Sequence, residues 1–171
     1  MKSFLTSLSL LLPFVSYAQP DTLWIPVQGT LVQYAVQYPP VRPDPQYKRI
    51  GKFVSDTNRI AVELDYKRGT PSGVYRAYYP DGRPLIFAVY GWGSLHGDWT
   101  EYDERGQVSL KGQYRQGERD GPWSFRQAGI LGHYKNGLKH GKWKYFENGV
   151  AVRSEKYRKD KLKRTRTFNI R

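Results

Sequence analysis

Three side chains with metal-binding chemistry recur at one position of the sequence. His96 and His140 each come directly before a glycine, and Asp120 holds the same place between them. Imidazole and carboxylate groups bind zinc, so a His/Asp/His set is the first chemistry to weigh. In an array of hairpins, equivalent positions lie two strands apart, roughly 9 to 10 Å, whereas each ligand must lie within about 2.2 Å of the metal. The spacing favours turn residues over a metal site, and no cofactor is expected.

The residues that could act as nucleophiles or acids lack the context that catalysis needs. No serine lies in a Gly-x-Ser-x-Gly setting, and the chain has no cysteine. Asp103 and Glu104 form a carboxylate pair, but they stand beside the turn glycine Gly106, where solvated acids are common. No phosphate-binding loop or dinucleotide fingerprint is present. The sequence therefore predicts a protein that is not an enzyme.

The spacing of glycines and aromatic residues reveals an internal repeat. The stretch from Tyr114 to Trp123 reads Tyr-x-x-Gly-x-x-x-Gly-x-Trp, and neighbouring stretches keep the same spacing. Counted from Gly51 by the glycine that precedes an aromatic residue, successive copies follow after 22, 24, 24 and 20 residues. A period of this size indicates an array in which each unit packs on its neighbours. The residues that carry the repeat are Tyr66, Gly69, Gly73, Tyr75, Tyr90, Gly93, Gly97, Trp99, Tyr114, Gly117, Gly121, Trp123, Tyr134, Gly137, Gly141 and Trp143.

Each copy has the pattern of a β-hairpin. An aromatic strand is followed by a turn signal such as 148–149, Asn-Gly, where glycine supplies the positive φ of a tight turn. The return strand then alternates, with Val108 and Leu110 on the apolar face and Ser109 on the polar face. The sequence predicts an all-β fold, an elongated antiparallel meander of about five repeated hairpins across residues 47–161. The recurrence of the tryptophans in phase favours a buried ladder of rings over an exposed stacking platform.

Two units depart from the pattern. The third is short, because only five residues separate Trp123 from Gly129. In the second, Trp99 and Tyr102 have opposite strand parity, which requires either a β-bulge or an aromatic layer on both faces.

The segments outside the array have separate roles. Residues 1–18 read as a secretory signal peptide: Lys2 precedes an apolar run, and small residues stand before a cleavage point at Ala18. Export to the periplasm, envelope or exterior is therefore expected, with no transmembrane segment after cleavage. Residues 19–46 are predicted to form an N-terminal strand or cap and a proline-rich linker. Residues 162–171 are predicted to form a basic cap strand or tail, with a strand over 165–170.

Positive charge is the strongest signal in the composition. The chain carries 28 Lys and Arg against 15 Asp and Glu, a balance of +13, and removal of Lys2 with the leader leaves +12. Residues 151–171 hold nine cations against two acids, a local balance of +7. This end is either a solvated cap that resists edge-to-edge association or a contact for an anionic surface. The candidate contact residues are Lys156, Arg158, Lys159, Lys161, Lys163, Arg164 and Arg166.

The repeat resembles a known family. Tyr114, Gly117, Gly121, Trp123 and Gly129, with their equivalents from about residue 69 to 161, look like the MORN (membrane occupation and recognition nexus) repeat in its bacterial, YwqK-like form. The resemblance implies an all-β hairpin scaffold without catalytic residues, associated with membrane tethering and partner docking. Some YwqK-like proteins carry an antitoxin label, and the signal peptide disfavours that role here, because a cytosolic toxin must be met in the cytosol.

These observations predict an exported, non-catalytic scaffold or binding module of the cell envelope. Its expected partner is a protein or an anionic surface of lipid headgroups or polysaccharide, and nucleic acid is disfavoured because of export. A carbohydrate-binding module that uses exposed Trp or Tyr side chains is the alternative, with Trp92 and Trp24 as candidates because they lie outside the repeat positions.

Overall fold

The computed structural model describes residues 21–27, 30–37 and 45–168, with side chains for 45–168. The predicted leader, the greater part of the proline-rich linker and Ile170 lie outside the described residues.

The described residues form one open antiparallel sheet of fourteen strands. Strand order follows the chain, so the sheet is a meander of hairpins, and the prediction of an all-β hairpin array is confirmed. β11 is a two-residue strand that pairs with β10 beside the longer β12. No helix among the described residues could span a bilayer. The strands are β1 (Asp21–Val27), β2 (Thr30–Gln37), β3 (Gln46–Phe53), β4 (Ile60–Lys67), β5 (Thr70–Tyr78), β6 (Pro84–Gly91), β7 (Ser94–Tyr102), β8 (Val108–Arg115), β9 (Glu118–Phe125), β10 (Ile130–Lys135), β11 (Leu138–Lys139), β12 (Gly141–Glu147), β13 (Val150–Arg158) and β14 (Lys161–Thr167).

Two-residue turns along one edge of the sheet connect neighbouring units. Gly93 and Gly117 hold the left-handed conformation that these turns require, with φ of 82° at both. The amide of Gly93 donates to the carbonyl of Pro71 at 2.9 Å, and that of Gly117 donates to Leu95 at 2.9 Å. Each turn is thereby bonded to the strand that begins after the turn of the preceding unit. At the last turn Asp160 replaces glycine with φ of 60° and donates to Lys139 at 3.0 Å.

The core lies on one face of the sheet, here called the aromatic face, which carries Trp99, Trp123 and Trp143. Trp123 is only 2% exposed, and edge-on tyrosine rings separate it from the other two tryptophans. The row continues from Trp99 to Tyr157 with ring centroids 5.1 to 6.1 Å apart. These three tryptophans are therefore core side chains, not an exposed platform.

A small residue lies beneath each tryptophan ring. Ala88 pairs with Trp99 across two strands, while Gly112 lies under Trp123 and Gly132 under Trp143. At both glycines an added Cβ would overlap the ring above it. The missing side chains let the indoles lie against the backbone of the preceding strand, which is how a single layer buries them.

Of the two alternatives for the second unit, a β-bulge or an aromatic layer on both faces, the structure has the β-bulge. The register shifts between Glu101 and Tyr102. Tyr102 pairs with Val108 and Glu101 with Leu110, so Ser109 is the additional residue of the bulge. Ser109 was predicted on the polar face, and this is wrong: it is buried, 5% exposed. A bulge interrupts the two-residue period on which the prediction depended.

The closing strand also differs from its prediction. It begins at Lys161, four residues before the predicted start at Thr165, and it ends at Thr167. The turn forms at Lys159 and Asp160, which both adopt positive φ without a glycine. A turn without glycine was not recognisable from the repeat pattern.

Replacing Gly112 by alanine should destabilise the fold by about 1–3 kcal/mol, the usual cost of overpacking, because the methyl group would overlap the Trp123 indole. Combining Gly112→Ala with Trp123→Tyr should cost less than the sum of the two changes, since the smaller ring leaves room. Urea denaturation of the four proteins measures this coupling. The control is Gly91→Ala, where the new Cβ would come no closer than 3.3 Å to His96. Equal effects at the two glycines would contradict the role of the ring.

Candidate functional site

Four cations from three adjacent strands line an open groove near the end of the array. Strands β12, β13 and β14 contribute Lys142, Lys156, Arg164 and Arg166, and this set is called the basic groove below. The groove has a volume of about 270 Å³. It lies on the face opposite the tryptophans, here called the polar face, because Lys142 precedes the inward-facing Trp143 and side chains alternate along a strand.

The register places like charges directly opposite one another in this groove. Lys142 pairs with Lys156, and Lys156 pairs with Arg164, so three cations stand in a row across three strands. Directly opposed side chains have Cβ atoms roughly 4.5–5.5 Å apart, and like charges at this spacing destabilise a sheet. All four side chains are exposed, and no ion pair among the described residues joins any of them to an acid. Water and dissolved ions therefore screen the repulsion between these cations.

The first units of the polar face have the opposite arrangement. Lys48 pairs with Asp65 and Glu63 pairs with Arg76 in the register. Lys48 Nζ lies 3.0 Å from Glu63 Oε2, and Arg76 lies 3.2 Å from Glu63 Oε1. Tyr78 also donates to Glu63 at 2.7 Å, and burial together with this bond raises the pKa of Tyr78 to about 12. Charge is balanced at this end of the face and unbalanced at the other.

Glu155 of strand β13 also borders the groove, but two tyrosines of the aromatic face hold its carboxylate. Glu155 accepts hydrogen bonds from Tyr145 at 2.6 Å and from Tyr157 at 2.7 Å. The bond from Tyr145 is the main cause that lowers the pKa of Glu155; burial opposes it, and Tyr157 and Arg153 add to the lowering. Glu155 pairs with Trp143 on one side and with Thr165 on the other. It occupies the place that Gly112 and Gly132 hold in earlier units, and Thr165 the place of the next tryptophan.

The sequence located this site only in part. Of the seven predicted contact residues, Lys156, Arg164 and Arg166 line the groove. The structure places Arg158, Lys159 and Lys161 at the β13–β14 turn, and Lys163 at the register shift of β14. Sequence reasoning missed Lys142, whose signal is the alternation Lys142-Trp143-Lys144 in strand β12. A buried tryptophan between two lysines assigns both lysines to the other face.

The three residues first considered as metal ligands each contact a different partner. His96 packs edge-on against Trp92 at 6.2 Å, and Asp120 lies 3.3 Å from Arg115. The backbone amide of His140 donates to the carbonyl of His133. Over the described part of the chain, no group of three or more metal-ligating side chains forms.

Trp92 is the large apolar side chain that the fold leaves most open among the described residues. It is 89% exposed at a turn tip, with a left-handed φ of 49°. Both the exposure and the conformation are unfavourable for a tryptophan. The equivalent residues at neighbouring tips, Gln116 and Asn136, are polar. Trp24, the other candidate, lies where side chains are not described.

No protein-family model matches the chain, and no curated protein matches it in sequence. The resemblance to MORN repeats therefore stays a prediction, and the candidate site is defined by geometry alone.

The pH dependence of stability should report the Glu155 cluster. Because the folded pKa of Glu155 is lowered, its contribution is present above the unfolded pKa of about 4.3 and is lost as pH falls through the folded pKa. Glu155→Gln should therefore be clearly less stable than the wild type at about pH 7, and the difference should shrink as the pH falls below the unfolded pKa. Urea denaturation across this range measures it. A gap that is independent of pH would show that ionisation of Glu155 contributes nothing.

Trp92→Asn should stabilise the protein by about 0.5–1 kcal/mol, since asparagine tolerates the left-handed conformation and tryptophan does not. Gln116→Asn, at the equivalent tip, is the matched control and should give a similar gain. Thermal denaturation compares the two. A loss of stability in Trp92→Asn alone would mean that the exposed ring makes a contact that the fold needs.

Proposed function

We propose that the protein is an exported, non-catalytic repeat scaffold that binds an anionic surface of the cell envelope through the basic groove. The observation that carries the proposal is the row Lys142, Lys156 and Arg164, three cations directly opposed across three strands. Folding gains nothing from this row, because like charges in register destabilise a sheet. An anion bound over the row would turn the repulsion into attraction.

Acidic phospholipid headgroups are the surface proposed first. Phosphate groups accept hydrogen bonds from both Lys and Arg, and a cation close to an acidic membrane contributes about 1 kcal/mol. Strand β14 carries the groove to the edge of the sheet and is exposed along its whole length. The groove is therefore open to a broad surface. Cleavage of the predicted signal peptide would deliver the protein to the compartment where such surfaces are found.

The resemblance to MORN repeats agrees with this proposal, since those proteins are scaffolds associated with membranes and partners. The hairpins would supply a rigid platform, and the variable polar face would supply the contact. The contrast between the two ends of that face supports the assignment, because the cations Lys48 and Arg76 are balanced there by two acids, Glu63 and Asp65.

Co-sedimentation with vesicles tests the proposal. The protein should bind phosphatidylglycerol vesicles, should not bind phosphatidylcholine vesicles, and should be released as salt rises. The double variant Lys142→Glu/Lys156→Glu should lower the affinity by about thirtyfold, from about 1 kcal/mol for each lost cation. Lys67→Glu/Arg105→Glu makes the same change in net charge at exposed residues outside the groove and should lower it far less.

Three results would overturn the proposal. They are equal recovery with both kinds of vesicle, binding insensitive to salt, and equal losses in the two double variants. A parallel arm with a soluble anionic polysaccharide separates the two envelope sources. Binding to the polysaccharide alone would reject phospholipid as the surface, and cell fractionation of the mature chain would show whether it is exported.

A further inference from the structure

The second unit breaks the apolar pattern of the aromatic face at two positions. In the unit before it, Ala77 pairs with Ile86 and the bulged residue is Leu85; Ala77 and Leu85 are fully buried. The same register places Glu101 at the position of Ala77 and Ser109 at the position of Leu85. The array folds with apolar residues at these two places, so its construction does not require polar ones.

Both polar side chains are nevertheless buried. Glu101 and Ser109 are each 5% exposed, and the Trp99 indole donates to the Glu101 carboxylate at 3.0 Å. The Ser109 hydroxyl has no hydrogen-bond partner among the described residues. A buried hydroxyl without a partner destabilises the fold. A ligand that bonds to this hydroxyl would remove the cost.

A cleft of about 460 Å³ lies at these two residues. It opens at the short third unit, where the four-residue connection 126–129 between β9 and β10 contributes Gln127 to the rim. The half-buried rings of Tyr114 and Phe125 form part of the wall. Arg119 also lines the cleft, with its guanidinium 4.7 Å from the centre of the Trp123 ring. The size falls within the range of small-molecule sites.

We infer that this cleft binds a neutral saccharide of one or two sugar rings. Sugar hydroxyls donate to the Glu101 carboxylate and bond with Ser109 and Gln127, while the apolar C–H face of a sugar packs on the aromatic wall. Glu101 and Arg119 carry opposite charges, so the lining has no net charge. An anionic ligand would meet Glu101 and a cationic one Arg119, which favours a neutral ligand.

The cleft is independent of the basic groove, because it lies on the opposite face and draws on other strands. It also differs from the exposed Trp92 that the sequence offered for sugar binding. A test of the saccharide site is therefore independent of whether the protein binds anionic surfaces.

The test is a titration of the full protein followed by ¹H–¹⁵N NMR at the Trp99 indole, whose N–H bonds to Glu101. The probes are glucose, galactose and N-acetylglucosamine, with cellobiose, lactose and chitobiose as disaccharides. At least one probe should shift the Trp99 indole signal saturably. Ser109→Ala should weaken binding about fivefold to tenfold, from the loss of one hydrogen bond, and Glu101→Gln should weaken it more.

The variants are chosen so that the fold survives. Alanine already fills the equivalent bulge position in the first unit as Ala61, and the dispersed indole signals of Trp123 and Trp143 report folding. Glu155→Gln is the matched control, a buried carboxylate on the same face two units away, and it should leave binding unchanged. The inference would be wrong if no sugar moved the Trp99 signal, if benzoate or benzyltrimethylammonium moved it and the sugars did not, or if Glu155→Gln weakened sugar binding as much as Glu101→Gln.

Discussion

The alternating row of tyrosine and tryptophan rings is the interaction on which the rest of the molecule depends. The described hairpins form a single layer, so no second sheet or helix covers the apolar side chains there. Each tryptophan of the row, Trp99, Trp123 and Trp143, instead lies over a small residue and meets a tyrosine edge-on. Trp123 lies between Tyr114 at 5.3 Å and Tyr134 at 5.8 Å. The indole N–H of Trp123 donates to the Gln113 carbonyl at 3.2 Å, so the buried ring leaves no unpaired donor.

Because of this row, the two faces of the sheet tolerate different substitutions. On the aromatic face a substitution changes the core, and a cation such as Lys139 stacks on a ring, 4.5 Å from the centre of the Trp143 ring. Charged side chains on the polar face do not contact the row of rings. Ion pairs can therefore occupy one end of that face and unopposed cations the other. The fold tolerates the repulsion at the groove because the packing of rings between neighbouring hairpins provides its stability.

The fold was predictable from the sequence because the glycines and the aromatic residues mark the same physical requirements in every unit. Glycines such as Gly93 and Gly117 supply positive φ in the turns, and the tryptophans supply buried area. The predictions were wrong where a unit departs from the usual residue at a turn or from the regular alternation of a strand. Asp160 makes a turn without glycine, and the bulge at Ser109 inverts the expected face. Lys142 was missed because the groove depends on register across strands, which residue spacing along one strand does not contain.

Two side chains mark the place where the row of rings stops among the described residues. Glu155 replaces the small residue that would receive another ring, and Thr165 replaces the tryptophan that would supply it. Because every hairpin contacts mainly its immediate neighbours, the array could grow by duplication of whole units without disturbing those already in place. A further ring would have to pack on Glu155, whose carboxylate is already bound by two tyrosines, instead of on bare backbone. Among the described residues the row of rings therefore ends at Tyr157.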